Sequence, residues 1–186
     1  MLTDWRGVGL VLLCGMVLIA GIDQATKDAL KVAHILKSIE RHPSRPDGKE
    51  STAEVTETEL NAYIAHRLKQ ENNQYIRSLQ VDLLDNNQVR GKIRFDAKQL
   101  NLSLLMGENL DFNFTGVLCT RNGAGRLDLI SLVLGGQPVN PQVLDFVLNT
   151  VSRYQGSELG GIGDWYELPT GIKRIAVRKT SVVLTY

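Results

Sequence analysis

Two stretches of strict alternation limit the fold more than any other feature of this chain. Leu79, Val81 and Leu83, and then Val89, Gly91, Ile93 and Phe95, fall at every second position, with Arg90, Lys92 and Arg94 between members of the second set. A period of two puts each set on one face of a strand, so this part of the chain forms a half-buried antiparallel hairpin and not an amphipathic helix. The same pattern chooses the loop. A two-residue turn at Asn86-Asn87 would set Leu83 against Arg90 and mix the faces. A three-residue loop, Asp85-Asn86-Asn87, sets Leu83 against Val89 and Asp82 against Arg90, with asparagine suited to the left-handed backbone position.

Further along, Leu110 to Arg121 and Arg126 to Leu134 read as a second hairpin around Asn122-Gly123-Ala124-Gly125. Four loop residues pair Leu118 with Leu129 and Phe114 with Val133. The other face then carries Val117, Ile130, Leu132 and Leu134, which makes this hairpin apolar on both sides and in need of cover on both. A last hairpin sets Ile175 and Val177 against Val182 and Leu184 across Lys179-Thr180.

Thr56 and Glu59 have capping-box spacing before an apolar face of Leu60, Tyr63, Ile64 and Leu68, which predicts a helix over 57–71. Asn140 followed by Pro141 opens a second helix, whose buried side is Val143, Leu144, Val147, Leu148, Val151 and Tyr154. Ala97 to Met106 suits either a short helix, with Asp96 as cap and Gly107 as stop, or irregular chain. Gly156 to Gly163 reads as a flexible loop. The fold class is therefore α+β, an antiparallel sheet of about six strands with two main helices, preceded by an N-terminal transmembrane or signal helix.

That preceding segment is Gly7 to Ile22, an uncharged apolar run between Arg6 and Asp23. It is a little short of the roughly 20 residues that span a bilayer core, which fits an uncleaved anchor first, a cleaved export signal second and a buried helix third. From Asp23 to about Ile39, Ala25, Ala29, Val32, Ala33, Leu36 and Ile39 recur at three and four, so the helix continues either as an amphipathic stalk or packed on the body. Arg41 to Lys49 holds two prolines, a glycine and four charges and reads as a linker. The expected division is 1–39 anchor or signal with stalk, 40–54 linker, and 55–186 an extracytoplasmic domain. Lys27, Lys31, Lys37 and Arg41 outnumber Arg6, and charge bias alone would keep the body inside the cell. Dilution by Asp23, Asp28 and Glu40, and the N-terminal place of the run, favour export.

Composition removes several functions. A formal charge of +1 lacks the cation surplus of a nucleic-acid binder. Cys14 in the apolar run and Cys119 in a strand make no disulfide framework. His34, His42 and His66 lack metal-site spacing. Ser157 is not flanked by glycines as in a nucleophile elbow, and Gly123 and Gly125 lead into a strand where a phosphate-cradling helix would be needed. Asn101 and Asn113 begin glycosylation triplets that matter only in a eukaryotic secretory chain. No catalytic set, cofactor or metal is expected. The stripe Arg90, Lys92, Arg94, with Lys98 beyond, stands out; it is either an ordinary solvated face balanced by Asp82 and Asp96 or a meeting point for lipid headgroups or an acidic partner.

At Gly135-Gly136-Gln137-Pro138-Val139-Asn140-Pro141 and at Leu168-Pro169-Thr170-Gly171-Ile172-Lys173-Arg174-Ile175-Ala176-Val177, the chain resembles uncharacterised bacterial exported or membrane-anchored proteins. In these, a Gly-Gly-x-Pro-Val-Pro turn starts a helix and a Leu-Pro-x-Gly-Ile segment leads into a last hairpin. The helix start at Thr56-Glu57-Thr58-Glu59-Leu60-Asn61-Ala62-Tyr63 resembles theirs too. The chain departs from their pattern at Asn140, where proline is usual, and at Thr180, where glycine is. The resemblance implies no catalytic residues. The order of elements is also loosely similar to tubular lipid-binding domains and AsmA-like envelope proteins, a likeness at the level of fold only.

The expectation is a non-enzymatic protein of the bacterial inner membrane, tethered through Gly7 to Ile22 with its body in the periplasm, that binds or transports an apolar ligand such as lipid. Val117, Ile130, Leu132, Leu134, Trp165 and Tyr166 would line the site, with Arg90, Lys92 and Arg94 near the headgroup. The alternative is an envelope scaffold or assembly component whose second apolar face docks another protein or its own copy.

Overall fold

A computed structural model describes residues 23–42, 49–156 and 160–186. The apolar run Gly7 to Ile22, the prolines and glycine of the linker, and Ser157 lie outside the described residues. The protein is α+β, built on antiparallel strands in two sheets. In chain order the elements are α1 (Asp23–Arg41), β1 (Thr52–Thr56), α2 (Glu57–Gln70), β2 (Ile76–Leu83), β3 (Gln88–Asp96), α3 (Ser103–Met106), β4 (Asn109–Arg121), β5 (Ala124–Leu134), β6 (Gln137–Pro138), α4 (Pro141–Gln155), β7 (Tyr166–Glu167), β8 (Arg174–Arg178) and β9 (Ser181–Thr185).

The larger sheet runs β2-β3-β4-β5-β6, with β7 also on β5; the smaller runs β1-β9-β8. The larger sheet has six strands, as many as the sequence reading expects, and the separate three-stranded sheet is where that reading needs correction. Residues 52–56, read as linker up to 54, form β1, because Ala53, Val55 and their neighbours complete the last hairpin as a third strand, Val55 opposite Val182. The α1 helix is not a free stalk either: Ala29, Val32 and Ile39 are buried.

The first hairpin has the register its alternation demands, Leu83 opposite Val89 and Asp82 opposite Arg90. Asn86 and Asn87 both take positive φ, 60° and 59°, the geometry asparagine tolerates best after glycine. The last hairpin also matches, with Ile175 on Leu184 and Val177 on Val182.

The middle hairpin differs from its sequence reading. Its turn is the two-residue Asn122-Gly123, with φ of 50° and 74°, and Arg121 pairs with Ala124. Asn-Gly is the preferred pair for a type I′ turn, whose twist matches the flanking strands better than a four-residue loop would. Leu118 then pairs with Leu127, and Phe114 with Leu132. Between Thr115 and Gly116 the register slips by one, leaving Ile130 without a partner.

That bulge removes the double apolarity. In front of it Leu127 and Leu129, and behind it Leu132 and Leu134, would lie on opposite faces of a regular strand; one extra residue brings all four to one side. The large sheet therefore has one apolar face. Its other face presents Arg90, Lys92, Arg94, Asn113, Thr115, Val117, Arg126 and Asp128, and Ile130 is 60% exposed there.

Two cores share the apolar face. Phe95, Phe112, Leu110 and Leu132 pack against Leu144, Val147 and Val151 of α4, with Phe95 and Phe112 edge to face at 5.9 Å. Asn140 Oδ1 accepts from the Gln142 N–H at 3.0 Å, and Pro141 stands at the first turn, as the sequence implied. Tyr154, assigned to the buried side, is half exposed and stacks on Tyr75 at the edge. The second core joins Val32 and Ile39 of α1 to Val55, Leu83, Ile172, Val177, Val182 and Leu184. Asp96 caps the turn after β3, accepting from the N–H groups of Lys98 and Gln99; α3 itself has no side-chain cap.

Candidate functional site

The most distinctive concavity lies inside the second core. α1 contributes Val32 and Leu36 and α2 contributes Leu60, Tyr63 and Ile64, over a floor of Val81, Leu83, Val89 and Leu118 from the large sheet. Val55, Ile175, Val177, Val182 and Leu184 of the small sheet and Pro169 with Ile172 close the far side. The cleft has a volume of about 280 Å³, and its wall is apolar throughout, Tyr63 included, since no polar atom is turned into it.

Local rules place each wall. In α2 the capping box is complete: Thr56 Oγ1 accepts from the Glu59 N–H, and Glu59 Oε2 accepts from the Thr56 N–H. This turns Leu60, Tyr63 and Ile64 toward the sheets. Lys31 of α1 reaches Glu59 at 2.5 Å and ties the two helices together. Burial would push the Glu59 carboxyl up, but the Lys31 ammonium and the Thr56 N–H hold it below the usual carboxylate range. The two sheets are joined by side chains: Asn87 Oδ1 accepts from the Val177 N–H at 2.8 Å, and Thr120 bonds both backbone groups of Ile175.

The residues singled out from sequence do not form one site. Leu132 is buried under α4 and Leu134 packs at that core's edge, so both are structural. Val117 and Ile130 are on the opposite, polar face, because the bulge reverses the alternation between them and the two leucines. Arg90, Lys92 and Arg94 share that polar face and so stand across the sheet from the apolar cleft, where side chains of one strand cannot reach. Arg94 is also committed: its Nε and Nη2 donate to the two Asp111 oxygens at 2.6 and 2.8 Å. Lys98 meets Glu108 at 2.6 Å, while Asp96, read as a neutraliser of the stripe, binds Arg77 instead. Arg90 and Lys92 are exposed.

Trp165 belongs to a separate cluster at the Asn122-Gly123 end. The guanidinium carbons of Arg121 and Arg126 lie 4.3 and 4.9 Å from the centre of its ring. Arg126 Nε is 2.6 Å from Asp128 Oδ1 but off the direction of its N–H; the hydrogen bond comes from Nη2 to Oδ2 at 3.1 Å. The Cys119 thiol donates to the same carboxylate at 3.3 Å, and this bond, its burial and the Asp128 charge push its pKa up. A thiol held protonated is a poor nucleophile. Tyr166 is exposed and donates to the Gly161 carbonyl at 2.8 Å.

The sequence exposed the apolar faces of α1, α2, the first hairpin and the last hairpin, but not the β1 wall at Val55 and not the meeting of these faces. Its signal lay in α1, where Val32, Leu36 and Ile39 form a helical apolar stripe. Among the described residues no group of three or more His, Cys, Asp or Glu could hold a metal ion. Among them, too, no helix is long and apolar enough to cross a membrane. No protein-family model matches the sequence, and no curated protein matches it.

Proposed function

We propose that this protein is a non-enzymatic binding module, tethered to the bacterial inner membrane through Gly7 to Ile22, whose body faces the periplasm and takes up the hydrocarbon chain of a lipid in the cleft between α1, α2 and the two sheets. The cleft carries this reading. Pockets for small molecules are concave and mostly apolar, of about 300 to 1,000 Å³. At about 280 Å³ this one suits a single chain better than a two-chain lipid. A wall with no polar atom turned into the cleft offers nothing to orient a charged headgroup, so selection is for the chain, with the head left in solvent.

A fluorescent dodecanoate tests the proposal. It binds the full chain, and Ile64→Phe or Val89→Phe, which fill the cleft, weaken binding at least tenfold while the thermal midpoint stays near that of the parent. Uptake unchanged in both variants, with no lipid retained in native mass spectrometry, would overturn it. Alkaline extraction and protease protection in spheroplasts test the tether and its side separately.

A further inference from the structure

The outer edge of β2 is closed over one half and open over the other. At Val81 the amide of Asn61 stands in for a neighbouring strand: its Nδ2 donates to the Val81 carbonyl at 2.7 Å and its Oδ1 accepts from the Val81 N–H at 2.8 Å. Glu57 Oε2 accepts from the Leu83 N–H at 2.7 Å, so this end of the edge is satisfied by α2. In an antiparallel ladder every second residue turns its N–H and C=O to the same side. Leu79, two before Val81, therefore also points them outward, where no side chain of α2 meets them.

Beside Leu79 lies a groove of about 360 Å³ between the edge and the second half of α2. Ala65 and Leu68 of α2 and Ile76 and Leu79 of β2 give it an apolar floor; Lys69 and Arg77 are its charged members, and it has no acidic one. Arg77 is paired with Asp96, whereas Lys69 has no acidic partner among the described residues.

We propose that this groove receives an extended acidic segment of a partner protein as an added strand, hydrogen-bonded to Leu79 and held by a carboxylate on Lys69. Asn61 shows that the position beside β2 accepts a planar amide at hydrogen-bonding distance, which is what a peptide backbone offers. The bulge at Arg77 ends the pairable edge, so the added strand is short. The apolar floor and the Lys69 charge supply the rest of the hold.

The test uses the full chain in detergent micelles with two pools of acetylated, amidated hexapeptides that alternate valine or threonine with glutamate in one pool and with lysine in the other. With the acidic pool, amide exchange at Leu79 slows and its resonance shifts. Lys69→Glu weakens that binding about tenfold, the effect of roughly 1.4 kcal/mol, and improves binding of the lysine pool. Ala65→Leu, which fills the groove from an exposed helix position, abolishes binding without moving the thermal midpoint. Three results would each overturn the proposal: no response at 76–80 with millimolar peptide, equal response to both pools, or protection of Leu79 that grows with protein concentration alone, which would mean β2 pairs with a second copy. None of these depends on the apolar cleft.

Discussion

The ring of Phe114 occupies the place where a side chain at Gly91 would begin: the two residues are cross-strand partners, and the ring tip leaves no room for a β-carbon. Gly91 therefore lets a buried aromatic of β4 lie over the backbone of β3. Gly91→Ala displaces Phe114 from the core it shares with α4 and is expected to cost about 1 to 3 kcal/mol, as overpacking does. Urea unfolding would show a lower midpoint at unchanged slope. Part of the loss should return in Gly91→Ala combined with Phe114→Leu.

Asn61 serves two backbone groups of an edge strand at once. Asn61→Leu keeps the bulk and removes both partners, leaving the Val81 N–H and C=O half buried and unpaired. The expected cost is about 1 to 2 kcal/mol. A longer open edge also invites pairing between molecules, so light scattering should show more self-association than in the parent.

Acid should loosen the end of the molecule at Asp96. Burial pushes this carboxyl up, but the N–H groups of Gln99 and Lys98 and the Arg77 guanidinium outweigh burial and hold it below its usual range. A depressed folded value means that the unfolded chain takes up the proton first. The stabilisation is thus complete above the ordinary aspartate value of about 3.9 and is lost as pH falls through the lower folded value. Asp96→Asn should lower stability at neutral pH and flatten the acid limb of a plot of urea midpoint against pH.

Thr180 holds a φ of 70° in the last turn, costly for a β-branched residue. Its backbone accepts from the Glu57 N–H at 2.8 Å, whereas its side chain is exposed. Thr180→Gly keeps that bond and relieves the strain. Against the extra entropy of glycine in the unfolded chain, a net gain of about 0.5 to 1 kcal/mol is expected. For a chain of this size that is about 1 to 4 °C in Tm.

Where one face of a strand is apolar and the other charged, the pattern left no freedom. The Asp85-Asn86-Asn87 loop, the Leu83 to Val89 register, the Thr56 and Asn140 caps and the closing hairpin could all be read from residues close in sequence. The β4-β5 hairpin misled for a local reason. A bulge shifts the phase of alternation at Ile130, and leucines on both sides of it look like two faces until one residue is left out of the ladder. The Asn122-Gly123 turn carried the needed signal, since its two-residue geometry and the pairing of Phe114 with Leu132 require that extra residue together.

Period, caps and turn residues thus determined most of the helices and strands and, outside the β4-β5 hairpin, which side of each is apolar, because those choices are settled within a few residues of chain. Tertiary structure decided the rest. That α1 packs as a wall, that residues 52–56 join the last hairpin, and that the large sheet shares one apolar face between two cores all depend on contacts between segments far apart in sequence. Hydrophobic burial has no direction of its own, and a stripe on α1 specifies that it must be covered but not by what. The cleft exists because the faces of α1, α2 and two sheets converge without quite filling the space between them, a property of the assembled packing that no single stretch of the chain contains.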